Sequence, residues 1–466
     1  MEEFSPRVYV KDTPHKIGET VALSGWVHVR RDMGKIIFIH LRDYTGQLQV
    51  VFVPGECEQY ELAKTLRNEF VVRLTGTVVA RSAKNKNDEM ITGQVELQAK
   101  TLEILNAAET PPFALDDTRT INEEVRLQQR YLDLRSDRMQ ANIRLRHRVI
   151  SFIRRFLDGE GFIEVETPYL TKGTPEGARE FIVPSRLHAG TFYTLPQSPQ
   201  QFKQLLMVAG VDRYYQIARC FRDEDQRGDR QPEFTQLDLE MSFVTQDDVL
   251  ALNERLMIEL VRQVTPEKKI ATTPFPRLTY KEAMEKYGSD KPDLRVNKED
   301  PNELAFAWIV DFPMFEQGKD GGLQAAHHPF CMPHPDDVEK LDSDPLAVRA
   351  WSYDLVLNGY EISSGSIRIH QRELQNKIFQ LLGVSSEDIE RRFGHMLKAF
   401  SYGAPPHGGM APGIDRLVMI LANEPNIREV MAFPKTGDAR DLMMGAPSEL
   451  PATTLREANI QMKKPT

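Results

Sequence analysis

The segment FRDEDQRGDR carries seven ionisable groups: Arg222, Asp223, Glu224, Asp225, Arg227, Asp229 and Arg230. A loop this polar is ordinarily solvated surface. Two features set it apart. It leaves an apolar run, RYYQIARCF, so Arg222 can be held in place, and a planar guanidinium offers parallel N–H donors that match phosphate oxygens. The run after it alternates, with Phe234, Gln236, Asp238 and Glu240 on one face and Leu237, Leu239 and Met241 on the other, as an extended strand requires. A face with an aromatic ring, an amide and two carboxylates reads as the floor of a site rather than as buried core. Arg416 enters an apolar helix pattern after a Gly-rich stretch, GGMAPGIDRL. The chain has no GxxxxGK[ST] and no usable GxGxxG, so recognition of phosphate falls to side chains, with Arg222 as the candidate here.

These residues need elements to position them. An apolar strand to Phe221 and a second from Phe234 to Val244 flank the polar loop, an antiparallel pair. The pattern predicts helices over about 139–158 and 246–264, the first with mixed rather than cleanly amphipathic faces. GEGFIEVETPYL follows the first helix as a glycine stop and a strand closed by Pro168. Further on, YTLPQSPQQFKQLLMVAG reads as a turn and helix, AVRAWSYDLVLNGYEISSGSIRIH as strand, and GGMAPGIDRLVMIL as a Gly-rich turn entering a helix. Antiparallel strands interleaved with helices make an α+β domain. Upstream, residues 18–106 read as about five short strands with a helix at ECEQYELAKTLRNE, a pattern that fits a small closed barrel of the oligonucleotide-binding (OB) kind. Arg31 and Phe38 are its candidate contacts for bases and phosphates, against the plainer reading of a core aromatic and a surface charge. Residues 107–130 read as a hinge.

Size and composition agree with this division. The chain has 466 residues, 41% of them hydrophobic and 27% charged, which suggests two or three soluble domains. No apolar run is long enough to span a bilayer, and the N-terminal residues do not form a secretory signal. Cys57, Cys220 and Cys331 show no metal-ligand spacing and read as reduced thiols of a cytoplasmic protein. The formal charge of −9 leaves room for local basic clusters: Arg30, Arg31, Lys35 and Arg42, then Arg67, Arg73, Arg81, Lys84 and Lys86.

Six segments in order, ETPYLTKGTPEGARE, YTLPQSPQQFKQ, QIARCFRDEDQRGDRQPEFTQLDLEMSF, HHPF, NGYEISSGSIRIH and PHGGMAPGIDRLVMIL, together with GWVHVRRDMGKIIFIHLRD near the N-terminus, resemble the signatures of bacterial-type aspartyl-tRNA synthetases. The resemblance spans nearly the whole chain and contains the three class II motifs. It implies an OB-fold anticodon-binding domain (1–106), the hinge (107–130) and a class II catalytic domain (131–466). It implies activation of L-aspartate with ATP and Mg²⁺, transfer to tRNA(Asp), with tRNA(Asn) left open as a second acceptor, and a homodimer whose interface is built by motif one. Carried over residue by residue, Arg222 holds the α-phosphate, Glu224 lies beside the adenosine, and Phe234 and Arg416 sandwich the adenine. Arg222, Glu224 and Arg416 form the implied catalytic set. His328 lies with the nucleotide, and Asp354 and Glu361 hold Mg²⁺. Arg368, Lys203, Asp238, Gln200 and His327 surround the aspartate, and Glu176 closes over it from a loop. Arg31, Phe38 and Gln49 read the anticodon.

The chemistry suits these residues. A side-chain carboxylate calls for a cationic fork, which Arg368 supplies. The α-carboxylate is already ionised, so its attack on the α-phosphate needs no general base, and positioning with charge compensation supplies the rate. The chain departs from the family pattern in one large respect: the insertion domain that bacterial-type members carry after YGSDKPDLR is absent near 295–304. Val29 stands where relatives often carry a basic residue, and Met33 sits in a loop bearing on tRNA choice. The rival readings are a lysyl- or asparaginyl-specific enzyme of the same subclass, opposed by Arg368 and PQSPQQFKQ, and a non-catalytic RNA-binding paralogue, opposed by the retention of Arg222, Glu361 and Arg416.

Overall fold

The structure is a computed structural model that describes residues 7–88, 90–173, 177–318 and 321–462. The chain divides into two compact units, Met1–Ile121 and Asn122–Thr466.

In the first unit β1 (Thr20–Asp32), β2 (Ile37–Asp43), β3 (Gly46–Phe52), β4 (Val71–Ala80) and β5 (Val95–Asn106) close into a barrel of order β1-β2-β3-β5-β4. Alternate side chains of each strand point inward, Val21, Leu23 and Val27 from β1 and Ile37, Ile39 and Leu41 from β2, which is the period-two pattern of the sequence made solid. Gly25 lets β1 and β2 cross closely, since a Cβ there would sit 2.3 Å from the Arg42 carbonyl oxygen. The helix α1 (Tyr60–Ala63) is much shorter than the segment ECEQYELAKTLRNE suggested; turns occupy the rest. Arg42 does not belong to an exposed basic cluster. It is buried, and its guanidinium donates to Glu69 Oε2 at 2.7 Å, because a charge drawn into a barrel wall needs a partner.

The second unit is built on a sheet. Along the chain come β6 (Ile163–Glu164), the ribbon of β7 (Ile182–Pro184) and β8 (Phe192–Thr194), the long pair β9 (Arg213–Phe221) and β10 (Glu233–Ser242), then β11 (Lys269–Ile270), β12 (Arg277–Thr279), β13 (Glu303–Leu304) and β14 (Phe306–Val310). The ribbon of β15 (Phe315–Gln317) and β16 (Leu323–Ala325) follows, and then β17 (Ser352–Leu357), β18 (Tyr360–Ile367) and β19 (His407–Met410). Eight of them form one sheet in the order β12-β14-β17-β18-β19-β10-β9-β6. The helices are α2 (Glu123–Gln128), α3 (Arg130–Asp133), α4 (Asp137–Gly159), α5 (Gln200–Val208), α6 (Gln246–Val264), α7 (Tyr280–Tyr287), α8 (Arg372–Leu381), α9 (Ser386–Phe400), α10 (Ile414–Leu421) and α11 (Ala452–Glu457).

One face of this sheet is covered and the other holds the site. Leu237, Leu239 and Met241 of β10 pack with Val149 and Ile153 of α4, Leu256 and Leu260 of α6, and Leu417 and Val418 of α10 in a single core. Period two then turns Gln236, Asp238 and Glu240 to the opposite face. Helix α4 is more amphipathic than its sequence suggested: Met139, Asn142, Leu145, Val149, Phe152, Ile153 and Leu157 form a buried stripe, and Ser136 caps its N-terminus by accepting from Met139 N–H. The Gly-rich stretch before Arg416 is not a turn. It is β19, set between β18 and β10 in the middle of the sheet. A Cβ at Gly409 would lie 2.1 Å from Leu239 O and 2.2 Å from Glu240 Oε2; glycine is what lets the strands close there.

Two buried ion clusters brace the unit. Arg126 of α2 donates to Glu429 at 2.7 Å and to Asp133 at 3.1 Å, Arg130 pairs with Asp133, and Arg138 of α4 reaches Glu424 and Glu429 at 3.0 Å. The second lies in the site. Between α7 and β13, where the family's insertion would be expected, the chain closes on itself: Val296 N–H and Asn297 N–H both donate to the Glu303 carboxylate at 2.9 Å.

Candidate active site

A cavity of about 370 Å³ opens on the uncovered face of the sheet, lined by residues of β10, β18, α5, α10 and the 222–231 loop. Arg222 stands at the end of β9 with its guanidinium 5.0 Å from the centre of the Phe234 ring, a cation–π contact. Its Nε is buried and has no hydrogen-bond partner among the described residues. Arg416, in the first turn of α10, donates to Asp229 Oδ2 at 3.0 Å and to the Glu361 carbonyl oxygen, and its Nε is likewise unpartnered. Asp415 beside it is fixed from two sides, accepting from Thr235 N–H at 2.7 Å and from Arg146 of α4. Glu224 lines the cavity and accepts from Arg230 at 3.3 Å.

Elsewhere in the cavity lies the second ion cluster. Lys203 of α5 is 3.0 Å from Asp238 and 3.2 Å from Glu240; Arg368 donates from Nε to Glu240 at 3.0 Å. Glu240 thus ties the two cations together. Arg368 also donates from Nη1 to Ser366 Oγ at 2.7 Å and to His328 Nε2 at 2.8 Å. Among the described residues its Nη2 makes only long contacts, 3.4 Å to Glu240 and 3.5 Å to Gly409 O, which leaves it suited to a ligand carboxylate. Burial lowers the affinity of His328 for a proton, and Arg368 lowers it further, so the ring is neutral and accepts from the arginine. Burial raises Asp238 despite Lys203, whereas Glu240 is lowered: burial opposes its charge, and Arg368 with Lys203 outweighs that. Asp238 Oδ1 has no partner among the described residues and can accept from an ammonium group. Gln200 donates to Gln204 at 3.1 Å, and His327 meets the Phe312 ring edge-on at 4.7 Å between centres.

Asp354 of β17 and Glu361 of β18 are neighbouring carboxylates. Burial, then Glu361, push Asp354 well above the usual range, and its Oδ1 is unpartnered. Glu361 is held down, burial opposing and Lys291 prevailing, with Lys291 Nζ at 2.9 Å. Two carboxylates and an orphaned oxygen fit a divalent ion that keeps waters and phosphate oxygens as its other ligands. Among the described residues no group of three or more His, Cys, Asp or Glu converges.

The structure therefore brings together Arg222, Glu224, Phe234, Gln200, Lys203, Asp238, His327, His328, Glu361, Arg368 and Arg416 around one cavity. Glu176 lies outside the described residues. The floor expected from the alternation exists, but Asp238 and Glu240 are both fully buried, because each faces a buried cation rather than water. The sequence marks Glu240 as part of the site floor without giving it a task, and it gives none to Lys291, Asp229 or Asp415. Glu240 had a signal, its shared face with Asp238; Lys291 and Asp229 had none beyond their charge.

On the barrel, Arg31 sits opposite Phe38 across β1 and β2, and Gln49 opposite His40 across β2 and β3. These side chains share the outer face. Gln49 is held there, donating to Glu96 at 2.7 Å and accepting from Arg81 at 3.1 Å.

Residues 122–437 match the family described as tRNA synthetases class II (D, K and N), and residues 21–105 match the OB-fold nucleic acid binding domain. The chain is 46% identical to the aspartate–tRNA(Asp/Asn) ligase of Rubrobacter xylanophilus, over 96% of this chain and 95% of that protein. It is 41% identical to the aspartate–tRNA ligase of Bacillus licheniformis, over 97% and 98%. The first comparison runs over 573 aligned positions against 466 residues here, so a substantial stretch of the relative has no counterpart in this chain. Among solved structures, the asparaginyl-tRNA synthetase of Pyrococcus horikoshii, complexed with asparaginyl-adenylate, shares the fold with a TM-score of 0.75 at 24% identity, over 94% of this chain and 99% of that one.

Proposed function

The chain belongs to the class II tRNA synthetases of the D, K and N group, and from that premise we propose that it activates L-aspartate with ATP and transfers it to tRNA(Asp). The observation that carries the choice of amino acid is the buried fork of Arg368, anchored by Glu240, with Nη2 free of short contacts. A site built to pair a carboxylate with a guanidinium rejects a neutral amide, which would leave buried charge unpaired. Lysine would set an ammonium against that guanidinium.

In this reading the aspartate side chain meets Arg368, and its ammonium group meets Asp238. Arg222 faces the α-phosphate, where charge develops as the α-carboxylate attacks and pyrophosphate leaves. Phe234 and Arg416 enclose the adenine, and Glu224 lies beside the adenosine. Asp354 and Glu361 would hold Mg²⁺, which supplies charge compensation to the phosphates when bound. The terminal ribose hydroxyl of tRNA then attacks the carbonyl carbon of the mixed anhydride, and AMP leaves. Arg31, Phe38 and Gln49 would engage the anticodon by stacking and hydrogen bonding. A second copy of the chain would cover the side of the sheet at β6, where Ile163, Tyr169 and Leu170 are exposed. Among the described residues no helix is long and apolar enough to cross a membrane. Three free, buried cysteines support a reducing compartment, and we place the protein in the cytoplasm on that ground.

The test is ATP–pyrophosphate exchange with aspartate, asparagine and lysine supplied separately. Aspartate alone should support exchange. Exchange driven by asparagine or lysine as well as by aspartate would overturn the assignment. Charging of tRNA(Asp) and tRNA(Asn) side by side decides the acceptor range.

A further inference from the structure

Lys291 stands on the cavity wall with Nζ 2.9 Å from Glu361 Oε2. It is not a side chain that has drifted onto a carboxylate at an open surface. Its backbone is braced: α7 ends at Gly288 in the left-handed conformation (φ 67°), Lys291 N–H donates to Ser289 Oγ at 3.0 Å, and Asp293 grips Arg295 at 3.0 and 2.8 Å. The segment rests on the β17–β18 turn, where a Cβ at Gly359 would be 3.5 Å from Asp293 Cβ. That turn is two residues before Glu361. Both partners remain reachable, with side-chain exposures of 39% for Lys291 and 31% for Glu361.

An ammonium group at this distance occupies the lone pairs that a divalent ion would need, and two cations cannot share them closely without strong repulsion. We propose that Lys291 is an internal counter-ion that competes with the divalent cation for Glu361 in the nucleotide-free enzyme. It yields when the metal arrives with ATP, and its ammonium turns to the outer phosphates. The inference rests on the reading of Asp354 and Glu361 as the cation-holding pair. Lys291 is thus a positioning residue: it keeps the carboxylates from trapping a metal ahead of the nucleotide and then contributes to holding the leaving group.

The probe is Mn²⁺, titrated into the full chain without nucleotide and followed by the electron paramagnetic resonance of the free ion. Lys291→Met should bind Mn²⁺ about tenfold more tightly than the unaltered chain, the order expected for removing a competing cation at a partly exposed carboxylate. Lys291→Arg should stay near the unaltered chain, and adding Glu361→Gln to Lys291→Met should erase the gain. In the pyrophosphorolysis direction, Lys291→Met should raise the KM for pyrophosphate while the KM for aspartate in exchange stays fixed. Equal Mn²⁺ affinity in the unaltered chain and Lys291→Met overturns the proposal, as do parallel rises in both KM values. If Asp354→Asn leaves the Mg²⁺ requirement of exchange unchanged, the cation-pair reading itself fails; an unchanged Mn²⁺ affinity with that requirement intact removes only the role of Lys291.

Discussion

Arg368, Glu240, Lys203 and Asp238 bring two basic and two acidic side chains together, each almost fully buried. Removing one member strands another, which is the costly case for buried ions. Arg368→Leu should abolish aspartate-dependent exchange while ATP binding, measured by calorimetry, stays largely intact, since Arg222 and Arg416 are untouched. Undiminished exchange would mean that Arg368 is not the carboxylate ligand. Glu240→Gln keeps the shape but leaves Arg368 and Lys203 without their shared counter-charge. It should destabilise the fold by about 3 kcal/mol and raise the KM for aspartate; a denaturant melt alongside steady-state kinetics checks both, and no change in either would contradict the tie between the two cations. These residues were unequally legible. Arg222 to Asp238 fall in one contiguous motif and could be read at once. The pairing of Arg368 with Glu240 spans 128 residues of chain, and no local pattern records which buried carboxylate a distant arginine will meet.

At the scale of elements, the site is held by what lies behind it. Arg146 of α4 and Thr235 of β10 converge on Asp415, one residue before Arg416. Asp415→Asn should raise the KM for ATP severalfold and leave the KM for aspartate unchanged, because it loosens the arginine's helix without touching the Arg368 cluster; initial-rate exchange separates the two constants. The α2–α4 ion cluster makes a pH prediction. Burial alone would raise Glu429, but Arg126, Arg138 and Arg130 outweigh it and hold the carboxyl at about 2, below its ordinary 4.5. A carboxylate depressed in the folded state stabilises above its unfolded pKa, and that stability is lost as pH falls through the folded value. Stability should therefore drop between about pH 4.5 and 2, and Glu429→Gln should be less stable at neutral pH with a flatter acid limb, as urea unfolding at a series of pH values would record. Strand β19 shows why element reading fell short. HGGM looks like a turn because glycine usually marks one. Here Gly408 and Gly409 are needed for close approach inside a sheet, a requirement set by the neighbouring strands and invisible in the segment itself. The stripe on α4 was blurred for a related reason: its polar member Asn142, and the half-buried Arg146 beside it, are paired with Glu424 and Asp415.

At the scale of the molecule, the barrel and the sheet-based unit were both legible, since periodicity and composition shift mark them. The short link between α7 and β13 was legible as a shortened connection but not as a closed one: Glu303 accepts from Val296 and Asn297 and pins the link in place. Lys291, near the start of the link, lines the cavity, but none of the described cavity residues lies in the shortened stretch at 295–304, so the shortened chain should retain its chemistry. The central claim, that this chain makes aspartyl-tRNA, meets its most direct test in steady-state charging of purified tRNA(Asp) with labelled aspartate, ATP and Mg²⁺. The account predicts acid-precipitable aspartyl-tRNA that accumulates to a plateau set by the tRNA and is lost with Arg368→Leu. A folded protein that leaves tRNA(Asp) uncharged, or that charges tRNA with asparagine or lysine instead, would contradict it.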